Sequence, residues 1–284
     1  MSAAAEKDKK RRRFIVFCLI LMVTVTLFIA GYEPETVHYR VTSDKIGGSV
    51  RIVFVSDLHN CIYGGRDQSG LLGDIEREEP DIVIFGGDVI DEWGYTTNAL
   101  TAMRKAAEKY PCFYTPGNHE YERKDTEEFF RDVEKTGVRM LMGEYEEVDI
   151  RGNSVRIYGA VDAVYGGQLK KCFGTLDGSY YNILIAHKPE HIDSYLASGS
   201  TRFDLILSGH SHAGQWRIPK LLDQGLYAPG QGIFPERTCG MYSYGDTVHI
   251  ISRGLAKPLR MIFIPRIFNR PELSVIELMP EKIR

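Results

Sequence analysis

The sequence predicts an α/β fold, a sandwich of sheets flanked by helices. Short apolar runs such as Ile82-Val83-Ile84-Phe85, β-branched or aromatic and too few for a helix, read as strands buried on both faces. Early in the chain such strands alternate with segments of helical character, and the last third is rich in strands and turns. Several strands end on an Asp, Asn or His, where open α/β sheets place their ligands.

In chain order, the first thirteen residues carry a balance of +4, so residues 14–284 carry −7 of a total of −3. A body that acidic exerts no overall pull on nucleic acid, and nucleic-acid binding is disfavoured. Residues 14–30 hold no charge, and Gly31 and Tyr32 extend the run. Nineteen residues span roughly 28 Å as a helix, enough to cross a bilayer's hydrocarbon core. The expectation is a membrane anchor over 14–32, with the basic tail 1–13 cytoplasmic and the body outside the cell membrane, a single pass. A cleavable signal peptide shares the charged start and apolar middle, but cleavage after Ala30 would put Phe28 where a small residue is wanted. Arg11-Arg12-Arg13-Phe14-Ile15 also resembles a twin-arginine export signal. The five cysteines form no Cys-x-x-Cys pair, which argues against a structural zinc site or a thioredoxin-type redox motif.

An extended lead-in, 33–49, precedes one domain, 50–284. Strands are expected at 51–56, 82–85, 112–115, 145–150, 155–158, 182–186, 204–207 and 273–278, with helices at 69–79, 97–109 and 126–135. In Gly86-Gly87-Asp88 the two glycines end a strand and let the backbone turn sharply. The strand-end residues are Asp57, His59, Asp88, Asn118, His119, His187, His210 and His212, which include five of the protein's eight histidines. A single such histidine would be an ordinary surface or core residue; five at strand ends of one domain are not. Mixed oxygen and imidazole donors suit a first-row transition metal such as Mn, Fe, Zn or Co. The donors exceed what one ion needs, and a bridging carboxylate can hold two ions roughly 3.5–4 Å apart.

The ordered set Asp57-x-His59, Gly87-Asp88, Gly117-Asn118-His119-Glu120, His187 and Gly209-His210-x-His212 resembles the calcineurin-like metallophosphoesterase family over roughly residues 50–250. His187-Lys188-Pro189, the run Gly-His-Ser-His-Ala-Gly-Gln, the later Arg-Pro-Glu-Leu and the anchor look like its membrane-associated bacterial branch, which more often has Gly-His-Thr-His-Gly-Gly-Gln. The resemblance implies two divalent metal ions. Asp57, His59, Asp88 and His212 would hold one, and Asp88, Asn118, His187 and His210 the other. It makes His119 the residue that stabilises or protonates the leaving oxygen, with Glu120 orienting its ring, and a metal-activated hydroxide the nucleophile. The implied activity is hydrolysis of phosphodiester or pyrophosphate bonds. A position near the bilayer makes a lipid-linked or envelope phosphate a candidate substrate.

Two other readings compete. Gly209-His210-Ser211-His212-Ala213 resembles a nucleophile elbow, which would make Ser211 a serine hydrolase's nucleophile and leave Asn118 and the other histidines without work. A non-catalytic scaffold on the same fold would show eroded ligand positions, and none is missing. Cys61 is taken as a structural thiol, Trp93 and Tyr95 either as a substrate wall or as loop aromatics packing on their own loop, and the basic stretch 253–270 as a surface strand with a basic face, the alternative being a stretch that meets anionic lipid or a substrate phosphate.

Overall fold

The structure is a computed structural model, described for residues 6, 9–19, 21, 33–161, 167–197, 199–218, 220–257 and 266–281. Two six-stranded sheets carry the fold. The first runs in the order β1 (Glu35–Ser43), β14 (Glu272–Pro280), β2 (Val50–Val55), β3 (Ile82–Phe85), β4 (Cys112–Tyr114) and β5 (Arg139–Met140). The second runs β12 (Gly240–Tyr244), β13 (Thr247–Ile251), β9 (Leu205–Ser208), β8 (Tyr181–Ile185), β7 (Asn153–Gly159) and β6 (Tyr145–Ile150). A two-stranded ribbon, β10 (Tyr227–Ala228) and β11 (Gly232–Ile233), lies apart.

The period of two along each strand divides the core into layers. In β2, Ile52 and Phe54 face the second sheet and pack with Ile183, Ile185, Leu205 and Leu207. Val53 and Val55 face the other way, onto α1 (Ser69–Arg77), α2 (Thr97–Ala107) and α4 (Thr126–Glu134), where Leu71, Ile75, Met103, Phe129 and Val133 are buried. A short helix, α3 (Asn118–Tyr121), precedes α4. Behind the second sheet, Tyr158, Leu184 and Ile206 pack on Leu169 and Cys172 of α5 (Gln168–Gly174) and on Ile192 and Tyr195 of α6 (Ile192–Tyr195). The result is the mixed α/β sandwich expected, with β2, β3, β4 and β5 parallel in one sheet and β7, β8, β9 and β13 parallel in the other.

The lead-in contributes β1, paired with β14 from Glu35↔Glu272 to Ser43↔Pro280. Of the expected anchor, residues 14–19 and 21 are helical, and residues 20 and 22–32 lie outside the described residues. Among the described residues no helix is long and apolar enough to cross a membrane. The basic stretch is corrected where it is described: Arg253 and Arg266 are buried rather than on a surface face, and residues 258–265 lie outside the described residues. All five cysteines are free thiols.

Candidate metal centre

The carboxyl ends of the parallel strands deliver the site residues to one edge of the sandwich. Asp57 and His59 follow β2, Asp88 follows β3, and Asn118 and His119 open α3 just after β4. From the second sheet, His187 follows β8, and His210 and His212 follow β9. The backbone there is bent for the purpose. Asp57, His59, Asp88, His210 and His212 have φ of 51°, 47°, 48°, 69° and 44°, a left-handed conformation that non-glycine residues rarely adopt and that collects at functional sites. Two glycines are there for space: a Cβ on Gly117 would sit 2.2 Å from Asp88 Oδ1, and one on Gly209 2.3 Å from Asp57 Oδ2.

Ligand atoms converge in three overlapping groups, Asp57–His59–His212, His59–Asp88–His119 and Asp88–His187–His210, with the atoms of each group within 4.8 Å of one another. Asp88 and His59 each belong to two of them. Asp88 Oδ2 is 2.9 Å from His187 Nε2 and 3.7 Å from His119 Nε2, while Asp57 Oδ1 is 3.9 Å from His187 Nε2 and 3.8 Å from His212 Nε2. His59 Nε2, His187 Nε2 and Asn118 Oδ1 are buried without a hydrogen-bond partner, the His187 nitrogen despite its closeness to Asp88. Leaving a buried polar atom unsatisfied costs about 1–3 kcal/mol, and two of these atoms, on His59 and His187, belong to residues of the ligand groups and fit a cation. The rings are already aimed. His59 donates Nδ1–H to Asp91 Oδ1 at 2.7 Å and His187 donates Nδ1–H to the Gly86 carbonyl at 2.7 Å, which turns Nε2 of each inward.

Electrostatics divide the buried histidines: burial opposes charge on His187, yet Asp88 and Asp57, with no cation between, push it up to about 10. Burial and the neighbouring His187 push His210 down to about 3, and burial with Arg266 holds His212 well below its ordinary value, so both are neutral, the form that binds metal. Burial opposes charge on Asp88, yet His187, His119 and His59 hold its carboxyl well below the usual range.

His119 is a quarter exposed at the rim, and its Nδ1 lies 2.6 Å from Glu92 Oε2. Glu92, not Glu120, orients this ring. Glu120 is buried, and its carboxylate accepts the backbone N–H groups of Asp88, Val89, Ile90 and Gly117 at 2.7–3.2 Å. It ties the loop after β3 to the start of α3 and has no free oxygen for catalysis. The Ser211 elbow is also corrected: the hydroxyl is buried and donates to backbone carbonyls, Gly209 O at 3.1 Å or Thr238 O at 3.2 Å. Cys61 stands outside the ligand groups, as do His38, His191 and His249.

A cavity of about 160 Å³ opens over the centre, lined in part by His59, Asp88, Glu92, His119, His210 and His212. Arg266, from the basic stretch 253–270, also lines it, although the sequence did not single it out within that stretch. Buried, it places Nη2 3.1 Å from His212 Nδ1 and 2.5 Å from the Arg253 carbonyl, while Nη1 has no partner. Asp91 and Glu92 were missed too, although both follow Asp88 in the same loop.

A model of the calcineurin-like phosphoesterase family matches residues 50–214, more than half of the chain. The chain belongs to the calcineurin-like phosphoesterase family. It is 25% identical over 261 residues to the metallophosphoesterase YkuE of Bacillus subtilis, covering 88% of this chain and 87% of that protein. It is 28% identical over 233 residues to the metallophosphoesterase F40B5.2 of Caenorhabditis elegans, covering 73% of this chain and 47% of the relative. It thus spans about half the length of that relative. The fold is shared with the sulfate thiohydrolase SoxB of Thermus thermophilus, at a TM-score of 0.51 and 13% identity over 75% of this chain and 53% of that one. For a calcineurin-like phosphoesterase, the paired His and Asp clusters suggest a binuclear metal centre.

Proposed function

We propose that the chain is a membrane-anchored phosphoesterase that hydrolyses phosphodiester or pyrophosphate bonds with two divalent transition-metal ions drawn from Mn, Zn, Fe and Co. The observation that carries this reading is the set of ligand groups that share Asp88 and His59, with buried, unpartnered nitrogens on His59 and His187 among them. Bound there, two cations would supply positive charge against the phosphoryl oxygens and make a water acidic enough to attack near neutral pH. Asp57, His59, Asp88 and His212 would hold one, and Asp88, Asn118, His187 and His210 the other. His119, steered by Glu92, holds a proton at Nε2 for the departing oxygen. Arg266 offers Nη1 to a phosphate oxygen in the cavity. The anchor rests on the uncharged stretch 14–32 behind a basic tail, with the tail inside and the domain outside.

Elemental analysis of the purified protein should find about two transition-metal ions per chain, with hydrolysis of alkyl and aryl phosphodiesters or of pyrophosphates. Asp88→Ala should weaken both sites, and one fully occupied metal in that variant would sink the shared role of Asp88. Protease added to intact cells should reach the domain and spare the N-terminus. A soluble mature form starting near residue 31 would show a cleaved signal instead.

A further inference from the structure

The register of the first sheet fixes where the N-terminal stretch meets the folded body. Glu35 pairs with Glu272, and Ser274 pairs with Phe54, so the start of β1 is level with the carboxyl end of β2, next to Asp57. Two or three strand spacings separate them, roughly 10–15 Å. Arg270 fastens this entry point by donating to the carbonyls of Glu33 at 3.1 Å and Pro34 at 3.2 Å, and Glu35 N–H donates to Pro271 O at 2.8 Å. From Tyr32, the last residue of the uncharged stretch, to Glu35 the chain spans about 10 Å at most. The stretch therefore joins the body at its catalytic edge, not at the opposite end of the strands.

The same edge carries an apolar rim. Trp216, Ile218, Leu221, Ile233, Phe234 and Phe268 are between 40% and 79% exposed. They come from separate segments tied together beside the site. Ile267 N–H donates to Gln215 O and Arg217 N–H to Ile267 O, Phe234 N–H donates to Leu226 O, and Leu226 N–H to Gly214 O. Asn269 bonds the carbonyl of the ligand residue His212 at 2.7 Å. Single exposed apolar residues are ordinary, but a contiguous set marks an interaction surface. Aromatic and aliphatic side chains suit the boundary of a bilayer, and the exposed charges among them, Lys220, Asp223 and Glu236, are of both signs.

We propose that this rim seats in the membrane interface, so that the metal cavity opens toward the bilayer and takes the phosphate of a lipid from the same leaflet. The proposal rests on the anchored reading of residues 14–32 and names the bilayer as what covers the rim.

The protein has two tryptophans, Trp93 and Trp216, so W93F leaves Trp216 as the sole reporter. The full chain carrying W93F would be reconstituted in phosphatidylglycerol–phosphatidylcholine vesicles with brominated acyl chains. Brominated lipid should remove at least half of the Trp216 emission, and aqueous iodide little of it. Strong iodide quenching with none from lipid overturns the seat. Protection from both quenchers overturns it as well, because a protein surface would then cover the rim. In the same vesicles, Leu221→Glu with Ile233→Glu should slow hydrolysis of a lipid phosphate at least tenfold and leave hydrolysis of a water-soluble nitrophenyl diester within twofold. An undiminished rate on the lipid would overturn the proposal. If no ester of any kind is hydrolysed while lipid still quenches Trp216, the phosphoesterase reading falls and the seat stands.

Discussion

His119 sits beside Asp88 and against Glu92, its ligand atom within 4.8 Å of those of His59 and Asp88, so its role in leaving-group protonation has to be separated from metal binding by experiment. A leaving group of low pKa departs readily as an anion, whereas an alkoxide must be protonated or stabilised. His119→Ala is expected to keep both metals and lose about 10²–10⁴-fold on alkyl esters, with a smaller loss on nitrophenyl esters. Rates plotted against leaving-group pKa at matched metal content check this, and parallel lines for variant and wild type would remove the role. Arg266 gives a second test. One charge-assisted hydrogen bond contributes about 1.5–3 kcal/mol, so Arg266→Gln should weaken inhibition by inorganic phosphate about 10–100-fold while metal content holds. Unchanged phosphate inhibition would mean that Nη1 does not meet the ligand. The motif residues were legible because their chemistry and their place at strand ends coincide in sequence. Of Arg266 only the basic stretch around it was legible, since its sequence neighbours say nothing about the partners its guanidinium meets at His212 and Arg253.

Strands β2, β3, β8 and β9 were legible for a plain reason: nearly every residue in them is buried, so the sequence shows unbroken apolar runs. Edge strand β1 alternates exposed and half-buried residues and lies across from β14, more than 200 positions away, so nothing local announces it. Helix α3 is a single turn whose sequence is the Asn118-His119-Glu120 motif itself, too short for any period to show. What holds β1 in place is equally non-local. Buried Glu272 accepts from Arg253 Nε at 2.6 Å, Tyr39 Oη at 2.9 Å and Ser274 Oγ at 2.6 Å, and Arg253 also reaches Glu35 at 2.9 Å. Removing one partner of a buried pair strands the other charge, which costs about 3–5 kcal/mol. Arg253→Ala should lower the unfolding free energy by about that amount in denaturant titrations. A loss under about 1 kcal/mol would show the pair to be no stronger than a surface ion pair.

Across the whole molecule, the candidate ligands come from both layers of the sandwich. Asp57, His59, Asp88 and Asn118 follow strands of the first sheet, and His187, His210 and His212 follow strands of the second. Elsewhere the two sheets are held by the apolar residues between them, but at this edge buried polar groups face one another: His187 reaches the Gly86 carbonyl and His210 N–H reaches Asp57 across the gap, while His59 Nε2 and His187 Nε2 have no hydrogen-bond partner. Ions bound here would join the sheets, and any ligand that binds only the native state stabilises it by mass action. At a free metal concentration of 100 times Kd, one site adds about 2.7 kcal/mol. For a domain of this size, 1 kcal/mol moves Tm by about 2–4 °C. Restoring Mn or Zn to chelator-treated protein should therefore raise Tm by roughly 5–10 °C for each site filled. Because each ion would need donors from both layers, Asp57→Ala in the first sheet and His187→Ala in the second should each reduce the shift. Calorimetric scans of the three proteins with and without metal decide the matter. A full shift surviving either substitution would show that the metals bind one sheet alone and do not fasten it to the other.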